Sequence, residues 1–328
     1  MSPVFPGIAQ RLLRESVLAA ALVAAAPATA TADDYRVRPV RIVTSEAGGG
    51  NDVQARLIAR GLSSALGQQV IVENRPSGVI PGEIVAKASP NGYTLLFYNN
   101  TLWTGPLIQA APYDPVRDLA PLSTVAVGPN LLVVSPALPV TSVPTLIALA
   151  KARPGELNYA SAGTGATNHL AAELFKVMAG IDIVRIGYKG AGPALNDVIA
   201  NQVQVMFPTA GAGLPHMKAG RVRALAVTSR EPSAVVPQLP TVASSGLPGY
   251  ESVAIYGMFA PAKTPRPLMD RLNREVLHIL ESGEIRERFF ALGMETRGGS
   301  PGQLAATIAS EMARMGKVIR AAGIRPGS

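Results

Sequence analysis

The chain has 328 residues, a formal net charge of +8 and no cysteine. The absence of cysteine excludes disulfides, thiolate chemistry and zinc sites built on cysteine. A basic chain can indicate nucleic acid as a partner, but the lysines and arginines are scattered and aromatic residues make up only 5% of the sequence. We therefore expect a mild attraction of small anions rather than binding of nucleic acid.

Residues 1–32 predict a secretory signal peptide. Arg11 and Arg14 precede a short apolar core at residues 16–26, and the ATATA sequence that follows offers A-x-A cleavage sites ending at Ala30 or Ala32. A membrane anchor is the alternative, but the apolar run is shorter than the roughly 20 residues that a spanning helix needs. We expect the mature protein to be exported to the periplasm.

The mature chain begins with alternating strands and helices. Short apolar runs predict strands at Val40–Thr44, 69–74 and 93–99. Apolar residues at helical spacing predict a helix that Gly67 stops, and a shorter helix follows that ends before Pro90. This alternation is typical of a parallel sheet with right-handed crossovers.

A second set of strands and helices follows. Its predicted helices begin near Ser142, Thr167 and Pro193, and the predicted strands cover residues 122–136 with a break at Gly128-Pro129, then 157–161, 181–188, 203–208 and 222–229. The C-terminal part predicts a strand at 252–261 and helices that begin near Pro265, Glu284 and Pro301. The pattern indicates two α/β units, with the chain returning to the first unit and a ligand held between them.

A glycine-rich loop separates the first strand from the first helix. It comprises Ser45, Glu46, Ala47, Gly48, Gly49, Gly50, Asn51 and Asp52. The first amides of a helix have no partner inside the helix, and the helix dipole places partial positive charge there. Glycines let a ligand approach this bare backbone, so the loop predicts an anion site, although a simple turn is an equal alternative.

The same arrangement occurs twice more. In the second loop a strand ends at Ser161, and Gly163, Thr164, Gly165, Thr167 and His169 lead into the next helix. In the third, Gly190–Gly192 precede the helix opened by Pro193. Three such loops in one chain favour an anion-binding cleft over three unrelated turns.

Several kinds of catalytic or cofactor site are not supported. The sequence contains no P-loop, the glycine pairs lack the third glycine of a dinucleotide-binding motif, and Ser161 does not lie in G-x-S-x-G. With three histidines and no H-E-x-x-H motif, a metal site is hard to assemble. We predict no catalytic residue, no metal and no cofactor. His169 has two open interpretations, since it either faces the cleft or caps its own helix.

At the family level the chain resembles the substrate-binding proteins of tripartite tricarboxylate transporters, the Bug receptors. The runs that carry the resemblance include RPVRIVTSEAGGGNDVQARLIA, PNGYTLL, LNYASAGTGATNHLAAELF and GYKGAGPALNDVIANQVQVMF, in order over nearly the whole mature chain. The resemblance implies an α/β periplasmic binding protein fold of type II. Each of its two lobes is a mostly parallel sheet flanked by helices, with the ligand cleft between them. The first lobe is expected at residues 33–122 plus 229–328, and the second at 123–228.

The resemblance also implies which residues bind. The loop from Ala47 to Asp52 is expected to receive one carboxylate, and the loop from Ser161 to His169 supplies amides and hydroxyls. Asn99, Asn100 and Thr101 are expected to form a polar wall, and Tyr188 and Thr209 complete the predicted set. The chain departs from the family at Thr44, Ser45 and Glu46, where Pro-Phe-Pro is common, and this departure leaves the identity of the acid open.

The expected partners are a small organic acid anion and either the membrane permease subunits of such a transporter or a sensor protein. We expect a monomer with no enzymatic activity. The alternative is an exported hydrolase that acts on esters of organic acids. Glu46 beside the first loop either points to solvent, pairs with an arginine or accepts a hydrogen bond from the ligand.

Overall fold

The computed structural model describes residues 38–76 and 78–324. The predicted signal peptide lies outside the described residues. The strands are β1 (Val40–Thr44), β2 (Val70–Asn74), β3 (Thr94–Asn99), β4 (Leu119–Pro129), β5 (Leu131–Val134), β6 (Asn158–Ser161), β7 (Val184–Gly187), β8 (Val205–Met206), β9 (Arg223–Val227), β10 (Val253–Pro261) and β11 (Glu295–Thr296). The helices are α1 (Gly50–Leu66), α2 (Ile80–Ala86), α3 (Thr101–Thr104), α4 (Val143–Ala152), α5 (Thr167–Ala179), α6 (Ala191–Ile199), α7 (Ala210–Lys218), α8 (Arg266–Glu281), α9 (Gly283–Ala291) and α10 (Pro301–Ala321).

Glycines and a capping box set the ends of the helices where the sequence predicts them. Gly67 and Gly180 end α1 and α5 in the left-handed conformation, at φ of 61° and 59°. At the start of α4 the Ser142 hydroxyl accepts the amide of Thr145, and the Thr145 hydroxyl accepts the amide of Ser142. These boundaries are confirmed.

The strands form two sheets, in the orders β11-β4-β10-β3-β1-β2 and β7-β6-β8-β5-β9. The prediction of mostly parallel sheets needs correction, because both sheets are mixed. Strand β10 pairs antiparallel with β3 and β4, and β5 pairs antiparallel with β8 and β9. The reason is that β4 continues directly into β5 with no crossover helix between them. Each sheet therefore receives a strand that enters from the other one.

Both faces of each sheet are buried. In β3 the side chains of Leu95 and Phe97 join one core of the first sheet, and Leu96 and Tyr98 join another core with α2. Strand β5 divides its side chains between the two cores of the second sheet in the same way. This near-continuous apolar character is expected of strands covered on both faces.

The chain leaves the first sheet at Asn130 rather than at the predicted break of Gly128-Pro129. Strand β4 stays paired with β10 as far as Pro129, and β5 begins at Leu131. The return path follows β9, and its residues Val236, Val242 and Tyr250 still pack on the second sheet's cores. The division into lobes at 122/123 and 228/229 stays a prediction.

Helix α10 contributes to the cores of both sheets. Leu304 and Ile308 pack in a core of the first sheet, whereas Met315, Val318 and Ile319 pack in a core of the second. The helix therefore ties the two halves of the molecule together.

Candidate functional site

The first glycine-rich loop follows β1 and opens α1. Gly48 has φ of +80°, a conformation that favours glycine, and Gly49 is the N-cap residue of the helix. The first hydrogen bond to the helix runs from the Val53 amide to the Gly49 carbonyl, 3.1 Å. The amides of Gly50, Asn51 and Asp52 therefore lie ahead of the helix's internal bonds, as an anion site at a helix start requires.

Asp52 holds this loop in shape. Its carboxylate accepts the Gly48 amide at 2.9 Å and the Asn74 side-chain amide at 2.8 Å, and it forms an ion pair with Arg56 at 2.9 Å. Burial opposes ionisation, but the donors around Asp52 outweigh it and lower the pKa of this carboxyl below its ordinary value. Because its carboxylate is bound to these donors, Asp52 stabilises the conformation of the loop from the inside.

The other predicted residues of this loop divide into buried and exposed members. Ser45 is buried, and its hydroxyl meets the Asn51 side-chain amide at 3.1 Å. Glu46, Ala47 and Gly48 are exposed. The exposed residues form the face of the loop that a ligand can reach.

Polar side chains surround the base of the first loop. An added Cβ on Gly50 would lie 3.3 Å from the hydroxyl of Tyr256, and the side chains of Gln54 and Asn99 also hydrogen-bond that hydroxyl. Burial raises the pKa of Tyr256 to about 12, so its hydroxyl keeps its proton at neutral pH. The Asn99 side chain also accepts the Thr101 amide at 3.1 Å. The predicted wall at residues 99–101 thus borders Gly50 through Tyr256.

The second loop follows β6 and opens α5. Gly165 has φ of +81°, and its amide donates to Nδ1 of His169 at 3.0 Å. His169 is buried, and this burial, with Arg185 and Lys176 nearby, lowers its pKa to about 3. The imidazole is therefore neutral near pH 7. Of the two interpretations, local capping is the one that its hydrogen bond supports.

Arg185 binds the outer part of the second loop. Its guanidinium donates to the Ser161 hydroxyl at 2.9 Å, the Thr164 hydroxyl at 3.1 Å and the Ala162 carbonyl at 3.2 Å. Sequence reasoning missed this residue. The available signal is that 181–188 is predicted as a strand next to the second loop, which places a cation on a neighbouring strand.

Tyr188 and Thr209 stand at the edges of the second loop. The Tyr188 amide donates to the Ser161 carbonyl at 2.8 Å, while its hydroxyl donates to Asp197 at 2.6 Å. Burial and this bond raise the pKa of Tyr188 to about 12. Thr209 is the N-cap residue of α7 and forms a β-bridge with Asn130.

A hydrogen-bonded junction connects the two sheets near the second loop. Thr228 Oγ1 accepts the Asn130 amide at 2.7 Å and approaches the carbonyls of Asn130 and Ser252 at 3.0 and 2.5 Å. The Asn130 side chain donates to the carbonyl of Thr167, the first residue of α5, at 3.4 Å. The junction thus connects Asn130, where β4 continues into β5, to the start of α5.

Buried polar atoms without a hydrogen-bond partner among the described residues concentrate in these same elements. They are Asn51 Oδ1, Gln54 Oε1, Asn100 Oδ1, Asn130 Oδ1, Trp103 Nε1 and, apart from the others, His216 Nδ1. Such atoms cost about 1–3 kcal/mol each when left unpaired in a dry interior. A water molecule or a ligand at the loops could therefore form hydrogen bonds with these unpaired atoms.

A cavity of about 550 Å³ lies away from these loops. It borders the sheet crossing and is lined by residues of β4, β10 and β11 together with Arg230 and Glu231. None of the predicted site residues lines it, and its charges are of both signs.

The sequence model of the tripartite tricarboxylate transporter family receptor matches residues 54–324. The chain belongs to this receptor family. Protein BugT of Bordetella pertussis is 38% identical over 304 residues, which cover 91% of this chain and 93% of BugT. Members of the family are periplasmic solute-binding proteins and not enzymes.

Solved structures of tripartite tricarboxylate receptors share the fold. The R. palustris protein Rpa4515 with adipate is 37% identical, with a TM-score of 0.81 over 89% of this chain and 99% of that one. MatC from Rhodopseudomonas palustris with bound malate is 28% identical, with a TM-score of 0.76 over 87% of this chain and 100% of that one. These likenesses confirm the predicted periplasmic binding protein fold.

No group of three or more His, Asp or Glu side chains in residues 38–76 and 78–324 is placed to hold a metal ion. Within the same ranges, no helix combines the length and apolar character needed to cross a membrane.

Proposed function

We propose that this protein is a periplasmic receptor that captures a small organic acid anion between two lobes. It then delivers the acid to the membrane permease subunits of a tripartite tricarboxylate transporter or to a sensor. The observation that carries the proposal is the pair of glycine-rich helix starts, one after β1 of the first sheet and one after β6 of the second. The relatives with adipate and with malate support an organic acid as the ligand.

The proposed binding residues are those of the two loops and the wall beside them. In the first loop, the helix-start amides of Gly50, Asn51 and Asp52 receive a carboxylate, and the Asp52 carboxylate holds their geometry. In the second, Thr164 and the amides at the start of α5 receive another part of the ligand. The full proposed set is Ser45, Glu46, Ala47, Gly48, Gly49, Gly50, Asn51, Asp52, Asn99, Asn100, Thr101, Ser161, Gly163, Thr164, Gly165, Thr167, His169, Tyr188 and Thr209.

A thermal-shift screen tests the ligand class. The panel contains adipate, malate, succinate, citrate, glutamate and benzoate, with glucose and maltose as neutral compounds. A compound that binds only the folded protein raises the free energy of unfolding by about 2.7 kcal/mol at a hundredfold excess over its dissociation constant. At least one acid should raise the melting temperature. Stabilisation by a sugar and by no acid would refute the proposal.

Closure of the lobes is a second part of the proposal. The donors are divided between two sheets, so neither half completes the site alone, and hinge motion at the strand crossing near Asn130 brings them together. Small-angle X-ray scattering should show a smaller radius of gyration at saturating acid. An unchanged radius in a protein that binds the acid would refute closure while leaving the ligand class intact.

A further inference from the structure

Arg185 occupies an unusual place beside the second loop. Strands β6 and β7 are parallel, with Tyr159 opposite Arg185 and Ser161 opposite Gly187. From this position the side chain extends along β6 toward the end where the loop begins. Three of its hydrogen bonds, at 2.9 to 3.2 Å, fall on Ser161, Ala162 and Thr164. A guanidinium that donates to three acceptors along a loop is fixed in both position and orientation.

These hydrogen bonds from the guanidinium polarise the groups of the loop that accept them. Thr164 is exposed, and a hydroxyl that accepts a hydrogen bond from a guanidinium becomes a stronger donor to a third group. The cation itself sits behind the hydroxyls, half-buried, where salt screens it less than a fully exposed charge. An anion on this loop would therefore meet the polarised Thr164 hydroxyl and a nearby positive charge together.

The other titratable groups near the loop contribute little net charge. His169 is neutral near pH 7, as its burial requires. Lys176 is paired with Glu173 at 3.1 Å, and the Tyr159 hydroxyl donates to the same carboxylate. Around the first loop, the charge of Arg56 is balanced by its ion pair with the Asp52 carboxylate. The second loop is thus the more positive of the two.

We propose that Arg185 is the specificity-determining cation of this receptor and that it makes the second loop select a carboxylate over a neutral group of similar shape. It acts through the exposed Thr164 hydroxyl, which it polarises, while its bonds to buried Ser161 and to the Ala162 carbonyl hold the guanidinium beside the loop. The inference rests on the proposed function, since it assumes that the second loop contacts the acid.

Isothermal titration calorimetry of three variants tests the inference. Arg185→Gln removes the charge, Arg185→Lys keeps the charge but loses the rigid fork, and Arg153→Gln is the matched control. Arg153 is exposed and precedes the amino end of β6, whereas the loop follows its carboxyl end. The probes are the acids that stabilise the wild-type protein in the panel above, titrated at low and at high NaCl concentration.

Arg185→Gln should weaken the acid about tenfold and flatten the decline of affinity with salt, because a screened charge has been removed. Arg185→Lys should retain most of the affinity and the salt dependence, and Arg153→Gln should match the wild-type protein. A tenfold loss with an unchanged salt dependence would overturn the inference, since it would make Arg185 a purely structural support.

The remaining outcomes are also decisive. Unchanged affinity in folded Arg185→Gln overturns the inference and leaves the proposed function standing. If no acid in the panel binds the wild-type protein, the proposed function and this inference fail together. If Arg185→Gln does not fold, Arg185→Lys decides: retained affinity and salt dependence support the inference, and loss of binding overturns it.

Discussion

Two glycines at matching helix positions should respond to alanine in opposite ways. Gly192 is the second residue of α6, and Gly211 is the second residue of α7. Neither has positive φ, so alanine fits the backbone at both positions. In a helix, glycine is less favourable than alanine by roughly 0.5–1 kcal/mol. From local propensity alone, both substitutions would stabilise the protein.

The surroundings of the two glycines reverse this expectation at one of them. An ideal Cβ on Gly192 has no neighbour within 4 Å, so Gly192→Ala should stabilise by about 0.5–1 kcal/mol. On Gly211 the Cβ would lie 2.3 Å from the Leu292 carbonyl oxygen, where ordinary contact begins at 3.4 Å. Backbone must shift by about 1 Å, and overpacking of this kind costs about 1–3 kcal/mol. Gly211→Ala should therefore destabilise by about 1–2 kcal/mol net.

Urea denaturation followed by far-UV circular dichroism measures both changes. The two variants should differ by about 1.5–3 kcal/mol in the free energy of unfolding, with equal m values. Leu292 lies in the turn before β11 of the first sheet, and α7 packs on the second sheet. The close approach of Gly211 to Leu292 therefore also joins the two halves of the molecule. A Gly211→Ala protein as stable as Gly192→Ala would refute the reasoning.

Three further expectations concern the loops and the junction. Gly49→Val should fold, since its Cβ would meet the Glu46 carbonyl at 3.4 Å and the Glu46 carboxylate at 3.8 Å without a clash. Its branched side chain should nevertheless abolish acid binding in calorimetry, and retained affinity would place the ligand elsewhere. Buried neutral His169 has a pKa below that of the unfolded chain, so its contribution to stability is complete above about pH 6.5 and falls by about 1.4 kcal/mol per pH unit as pH drops toward 3. Urea titrations across that range should show a smaller slope in His169→Gln, and an unchanged slope would count against a neutral imidazole. Thr228→Val should lower the free energy of unfolding by about 2–4 kcal/mol, because it leaves the buried Asn130 amide and the Ser252 carbonyl unpaired. Thr264→Val, which loses one hydrogen bond to Pro261, should lower it by less. Equal losses of stability in the two variants would contradict this expectation.

The local parts of the fold follow from the sequence. The ends of α1 and α5 are predicted by glycine, and the start of α4 is predicted by Ser142, because these signals act through backbone geometry within a few residues. The two glycine-rich loops are predicted for the same reason, since each combines a strand end, glycines and a helix start. Their binding role stays a prediction.

The long-range parts do not follow from the sequence. The apolar sequence of β10 is typical of any buried strand, and only its pairing in the structure shows that it runs antiparallel to β3 and β4. Arg185 is one arginine among many until the register of β6 and β7 brings it to the second loop. Asp52 looks like a ligand contact in the sequence, but its carboxylate is occupied by partners that include Asn74, far along the chain. Each case depends on neighbours that local pattern does not encode.

The position of α10 has a consequence for how the chain is made. This helix of 21 residues ends at Ala321 and supplies apolar side chains to cores on both sheets. Because α10 follows every other described helix and strand in the chain, neither half of the molecule can complete its core before this helix has been synthesised. Removal of the end of α10 should accordingly impair both halves at once.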